Sequence, residues 1–149
     1  MGSLTLPALA SAIYLDTNSI IYSVEHIPPY HDLLLPIWQS AKNNTHRIVT
    51  SGLSLLETLV GPLKSGDTQL EADYRTLLQG ASDVKLSPIS EAVLEQAAQL
   101  RATTALKTPD AIHAATALVE GCALLVTNDP IFRRVPGLTV VVLGDLITP

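Results

Sequence analysis

The amino-acid sequence predicts a three-layer α/β/α fold, a five-stranded parallel sheet covered by helices on both faces. Three observations carry that prediction. Short apolar runs alternate with longer segments of helical periodicity along 149 residues. The strand candidates are continuous runs such as Ala123-Leu124-Leu125-Val126, without the apolar–polar alternation of a half-exposed sheet. Hydrophobic residues make up 47% of the chain and charged residues 15%, which excludes a disordered chain and asks for elements buried on more than one side. The apolar stretches are too short for a membrane span. One domain is expected over 1–149, with 1–11 as a flexible N-terminal extension.

Taken in order, Ala12-Ile13-Tyr14-Leu15 reads as a buried first strand ending at Asp16, and Thr17 or Asn18 as the cap of a short helical turn through Ile20, Ile21 and Val24. Pro28-Pro29 stops that turn, and a helix is expected from Tyr30 to Lys42, with Pro36 kinking it or marking its start. Arg47-Ile48-Val49-Thr50 is the second strand. Ser51 or Ser54 then caps a helix that ends near Gly61-Pro62. A helix over Thr68 to Leu78 precedes the third strand, Val84-Lys85-Leu86. Ser90 opens an amphipathic helix to Thr103 carrying Val93, Leu94, Ala97 and Leu100 on one face. Thr108 is the expected cap of the next helix, with Pro109 in its first position and Gly121 past its end. Ala123 to Val126 and the β-branched run Leu138 to Leu143 complete the strands.

Compartment signals are few. The opening MGSLTLPALASAIYLD has neither a basic leader nor a long apolar core, and the single cysteine, Cys122, reads as an inert thiol in an apolar stretch. A cytoplasmic protein is the expectation.

Chemistry is expected at one edge of the sheet. In open parallel sheets ligands bind outside the carboxyl ends of the strands, where strand order reverses. Asp16 ends the first strand and Asp129 follows the fourth; Asp110 stands in the first turn of a helix and Glu57 on the helix after the second strand. Each acid alone has an ordinary structural explanation as turn former, cap or helix-dipole partner. Together they form a candidate oxygen-ligand set. Crowded carboxylates repel unless a cation neutralises them, and no His or Cys accompanies them at metal-ligand spacing, so Mg²⁺ or Mn²⁺ fits better than zinc. Metal-assisted hydrolysis of a phosphodiester is the natural reaction of such a site.

Charge agrees with this reading. A net charge of −5 argues against a nonspecific nucleic-acid binder. Setting the four acids aside, however, leaves ten acids against nine Lys and Arg, a nearly neutral remainder. Lys107, Arg133 and Arg134 flank Asp110 and Asp129 and are candidates for contacts to an RNA backbone, against the plain reading of solvated surface charges. His113, one turn beyond Asp110, is either a proton shuttle facing the site or a packed, hydrogen-bonded histidine, and the second reading is favoured. Trp38 and the four tyrosines are too scattered for a base-stacking platform.

Four separated segments, Leu15-Asp16-Thr17-Asn18, Ser54-Leu55-Leu56-Glu57, Thr108 to Ala117 and Val126-Thr127-Asn128-Asp129, resemble the PIN-domain nucleases, and among them the VapC toxins of VapBC toxin–antitoxin pairs. The resemblance spans about Ile13 to Leu146. It implies strand order 3-2-1-4-5, Mg²⁺-dependent endoribonuclease activity, a homodimer, and a VapB-type antitoxin whose C-terminal segment blocks the groove. Carried over by position, it makes Asp16, Glu57, Asp110 and Asp129 the metal-binding and catalytic quartet, with Asn18 and Thr127 orienting carboxylates or water. One position departs from the pattern: Ile131 stands where many PIN domains carry a further acid, which weakens the case for a full second metal site. Two other readings stand beside this one. A phosphatase using Asp16 as nucleophile would want a second Asp where Asn18 stands, and a catalytically idle binding module would need none of the acids.

Overall fold

Strand β1 (Ala12–Leu15) is buried along its whole length and divides its side chains between two cores. Successive strand residues point to opposite faces, so Ile13 and Leu15 join one core while Ala12 and Tyr14 join the other. The first core also takes residues of α1 (Thr17–Val24), α2 (Tyr30–Lys42), α3 (Leu53–Ser65) and α4 (Thr68–Arg75). The second takes α5 (Glu91–Thr103) and α6 (Thr108–Val119). In the sheet between them β2 (Arg47–Ser51) and β4 (Leu124–Thr127) flank β1, with β3 (Val84–Ser87) and β5 (Val140–Val142) at the edges. The order is β3-β2-β1-β4-β5 and every pairing is parallel, as expected for a three-layer fold. The computed structural model describes residues 2–147; Met1, Thr148 and Pro149 of the expected 1–149 domain lie outside them.

Several element boundaries differ from the sequence expectation, each for a local reason. The cap of α1 is Asp16 rather than Thr17 or Asn18, because Asp16 is the last extended residue and its Oδ1 accepts from the Ser19 N–H at 3.0 Å. Helix α2 runs through Pro36 from Tyr30. Helix α3 continues past Gly61-Pro62 to Ser65 and ends where Gly66 takes the left-handed conformation at φ 73°. The helix expected to reach Leu78 stops at Arg75 and gives way to a π-helical turn, Thr76–Gly80. Lys107, not Thr108, is the cap residue of α6; the Thr108 hydroxyl instead accepts from Arg101 at 3.0 Å, and Pro109 moves to the second position. Ser90 caps α5 as expected, accepting from Val93 N–H.

The leading segment departs from the expectation of a flexible extension. Leu4 is buried in the first core, the Gly2 N–H donates to the Leu146 carbonyl at 2.6 Å, and His46 Nε2 lies 3.0 Å from the Pro7 carbonyl. Cys122 is partly buried, and burial pushes its thiol up to about 12, in keeping with an inert side chain. Among the described residues no helix is long and apolar enough to cross a membrane.

Two glycines give a test of opposite signs. A methyl group added at either would meet open space, but Gly121 sits at φ 66° after α6 whereas Gly61 lies inside α3. Gly61→Ala should stabilise the fold by about 0.5–1 kcal/mol through helix propensity. Gly121→Ala should destabilise it by about 1–2 kcal/mol through left-handed strain alone. Urea unfolding of the two variants checks the pair, and equal signs would contradict the backbone assignment.

Candidate active site

Parallel pairing brings all the strand carboxyl ends to one edge, and an acid-lined cavity of about 250 Å³ opens there. Its walls are Asp16, Thr17, Asn18 and Ile21 from the end of β1 and from α1, Glu57 from α3, Asp110 and His113 from α6, and Phe132. Four segments distant in sequence thus meet, because each helix that contributes an acid starts at this edge.

Asp16 is the deepest acid, 6% exposed. Its Oδ1 takes the Ser19 N–H, and its Oδ2 takes the Thr127 hydroxyl at 2.6 Å. Burial pushes its carboxyl above the ordinary carboxylate range, against the downward pull of these hydrogen bonds. Thr127 therefore ties the end of the neighbouring strand to Asp16. It also accepts the Asp129 N–H at 3.0 Å, linking the buried acid to the rim.

Glu57 is half-buried and takes both of its hydrogen bonds on one oxygen. Thr17 Oγ1 donates to Oε1 at 2.7 Å, and His113 Nε2 lies 2.8 Å from the same atom. The hydrogen bond from His113 is the main reason that the Glu57 carboxyl is held below its ordinary range, outweighing partial burial. Asp110 behaves oppositely. Partial burial raises it first, then the charge of Asp129, with smaller upward pushes from Asp16 and Glu57; His113 pulls the other way. Those contributions place Asp110 within the fields of the other three candidate acids.

Asp129 itself is exposed at the rim and is not part of the cavity wall; its Oδ1 accepts from the Ile131 N–H at 2.9 Å and so caps a short 3₁₀ turn, Pro130–Arg134. Asn18 lines the cavity but makes no hydrogen bond to an acid among the described residues. Lys107 and Arg134 are exposed, and Arg133 is paired with Asp145. Tyr14 and Tyr74 are core residues and Tyr22 stacks on Tyr30 with centroids 4.5 Å apart, so the tyrosines form no common platform.

Among the described residues no three His, Cys, Asp or Glu side chains stand together as a ready metal cage. The cavity wall is rich in carboxylates, and its one imidazole, His113, is engaged with Glu57 through Nε2. One or two carboxylates per ion with room for waters is donor chemistry that Mg²⁺ or Mn²⁺ accepts. The residues fit a hard divalent ion of that kind.

Sequence reasoning misses three residues that the structure places at the site. Thr17 reads there only as a cap and Tyr14 only as a core strand residue, while Ser54, which lies 3.0 Å from Thr17, reads only as a helix start. A signal exists in the hydroxyls Thr50, Ser51 and Ser54, which cluster where a buried strand gives way to a helix. His113 is packed and hydrogen-bonded, the favoured of its two readings, yet its partner is Glu57.

The arrangement defines a class first: an open parallel α/β domain whose carboxyl edge gathers aspartates and a glutamate around a small cavity. Residues 13–138 match the PIN domain family, and the chain belongs to that family. No curated protein sequence matches. Among solved structures, the chain is similar to one of VapBC2 from Rickettsia felis bound to a DNA fragment from their promoter, with 25% identity, TM-score 0.69, and coverage of 87% of this chain and 97% of that one. It is similar to a toxin–antitoxin complex from Klebsiella pneumoniae at 30% identity and TM-score 0.65, covering 88% and 96%. The fold is also that of Mycobacterium tuberculosis VapC20, described as a Sarcin-Ricin loop cleaving toxin, at 17% identity and TM-score 0.66, covering 81% and 92%.

The two best-defined acids tilt stability in opposite directions with pH. Asp16 binds its proton more tightly when folded, so its contribution is present below its ordinary value of 3.8 and is lost as pH rises through the raised folded value. Glu57 contributes above its ordinary 4.5 and loses that contribution as pH falls through its lowered value. In EDTA, Asp16→Asn should melt higher than the parent at about pH 7 and lose most of that advantage at about pH 4, whereas Glu57→Gln should melt lower at about pH 7. Thermal melting at the two pH values checks this, and shifts of the same sign would contradict it.

Proposed function

We propose that the protein is a Mg²⁺- or Mn²⁺-dependent endoribonuclease and the toxin of a type II toxin–antitoxin pair, acting at the cavity between Asp16, Glu57 and Asp110. The observation that carries this reading is the one cavity that Asp16, Glu57 and Asp110 line together at the carboxyl edge of the sheet, with burial and neighbouring carboxylates pushing Asp110 upward. A pocket that concentrates negative charge in this way is one that a cation would neutralise, turning it from repelling phosphate to attracting it.

Asp16, Glu57 and Asp110 would hold the ion, with Asp129 reaching it directly or through water from the rim. When bound, such an ion supplies Lewis acidity toward a phosphate oxygen and makes a water more acidic. The chain's own residues then have distinct tasks. Thr127 and the Ser19 N–H fix the buried Asp16 carboxylate in one orientation. Thr17 and His113 hold Glu57 by one oxygen and leave Oε2 to the cavity. Lys107 and Arg134, exposed and near Asp110 and Asp129 in sequence, are the candidates to meet an RNA backbone, while Arg133 is paired with Asp145. With water as nucleophile the 2′-hydroxyl takes no part, and with the 3′-oxygen as the leaving group, the bond to phosphorus breaking as the water oxygen bonds, the products carry 5′-phosphate and 3′-hydroxyl ends.

The RNA assignment draws support from VapC20, described as cleaving a Sarcin-Ricin loop. The partner assignment draws on the toxin–antitoxin complexes of similar fold, and we assign a VapB-type antitoxin on that basis; the homodimer rests on the family resemblance alone. An apolar groove of about 180 Å³ between α1, α2 and the π-helical turn, walled by Val24, Leu35, Trp38 and Leu77, suits the apolar side of an antitoxin segment.

Purified protein incubated with structured RNA should cleave it in Mg²⁺ or Mn²⁺ and not in EDTA, and Asp16→Ala and Asp110→Asn should each lose activity by about a hundredfold or more. Mapping of the product ends checks the chemistry: a 2′,3′-cyclic phosphate would overturn the mechanism. Intact RNA in every metal-containing lane would point instead to the idle binding module.

A further inference from the structure

Beneath Glu57 a line of hydrogen bonds runs out of the protein interior. The Ser51 N–H at the end of β2 donates to Tyr14 Oη at 3.1 Å. Tyr14 Oη lies 2.6 Å from His113 Nδ1, and His113 Nε2 lies 2.8 Å from Glu57 Oε1. Tyr14 is fully buried and His113 is 3% exposed. The two rings meet edge to face, with centroids 5.9 Å apart.

Elementary proton counting orders this line. A backbone amide only donates, so Tyr14 Oη accepts from Ser51 and keeps its own proton to give. An ionised carboxylate only accepts, so Nε2 must carry the proton that meets Glu57. With the Tyr14 hydroxyl donating, Nδ1 is its acceptor, while Nε2 also lies 3.2 Å from Thr17 Oγ1. The tautomer with its proton at Nε2 gives the contacts to Tyr14 and Glu57 a donor and an acceptor each.

We propose that Tyr14 and His113 are positioning residues for Glu57: the Ser51–Tyr14–His113 line locks one imidazole tautomer, pins Glu57 by Oε1 and offers Oε2 to the cavity. This rests on the metal-site reading above for its purpose, though not for its geometry. His113 touches neither an ion nor a substrate in this role and transfers no proton. It acts through Glu57, as the outer hydrogen-bond partners of metal-binding carboxylates commonly do. Tyr14 acts at one further remove, from the opposite side of the sheet's central strand to Leu15.

The test uses the full chain. Imidazole ¹⁵N spectra of the wild type should show His113 protonated at Nε2 and bare at Nδ1, and a proton on Nδ1 alone would overturn the proposal. Mn²⁺ binding, read from the free-ion paramagnetic resonance signal, should weaken about ten- to a hundredfold in Tyr14→Phe and in His113→Leu. His113→Gln, which keeps an N–H donor toward Glu57, should recover most of the binding lost in His113→Leu. Equal Mn²⁺ affinity of folded His113→Leu and wild type would sink the positioning role. If Tyr14→Phe does not fold, the wild-type tautomer and the His113 pair decide the matter. Should the wild type cleave no RNA, the nuclease reading fails while the tautomer and the Mn²⁺ series still judge this inference.

Discussion

Holding a carboxylate inside the protein at the tip of the central strand is the constraint around which this edge of the molecule is arranged. Removing an ionised carboxylate from water is unfavourable by several kcal/mol unless hydrogen bonds and charge compensate it, an order-of-magnitude figure set by solvation. Asp16 meets that demand partly with the amide of the helix it caps and partly with the Thr127 hydroxyl from the neighbouring strand. What remains uncompensated is visible in its upward shift. The same residue therefore follows a strand, caps a helix and carries that uncompensated burial at the edge of the sheet.

The neighbouring acids solve the same problem differently. Glu57 is relieved by donors, Thr17 and His113, and stays easily ionised. Asp110 has no such donors and carries the repulsion of the others. Asp129 stays in solvent at the rim, where water screens it. A graded set results, from a fixed buried oxygen pair to a solvated one, within a single edge of the sheet. Neighbouring acids with pKa values driven apart are a mark of functional sites generally.

Much of this is legible from residues alone because it depends on periodicity. Continuous apolar runs declare strands buried on both faces, and parallel strands put their last residues on a common edge, so Asp16, Glu57 and Asp110 follow from chain order. Boundaries are less legible. Whether Asp16 or Thr17 caps α1 depends on which residue first leaves the extended conformation, and Pro62 does not end α3 because the left-handed Gly66 lies four residues further on. The polar line through Tyr14 and His113 is the hardest to see. A tyrosine in an apolar strand and a histidine in an alanine-rich helix each look like packing, and only the third dimension makes partners of two residues 99 positions apart.

Strand β1 is a shared wall, presenting Leu15 to one helical layer and Tyr14 to the other. An apolar side chain at position 14 would strand the Ser51 amide and the His113 lone pair together, each a buried orphan. The side chains at 14 and 113 are thus tied to each other by bonding rather than by shape, and replacing the phenol leaves the imidazole without its buried partner.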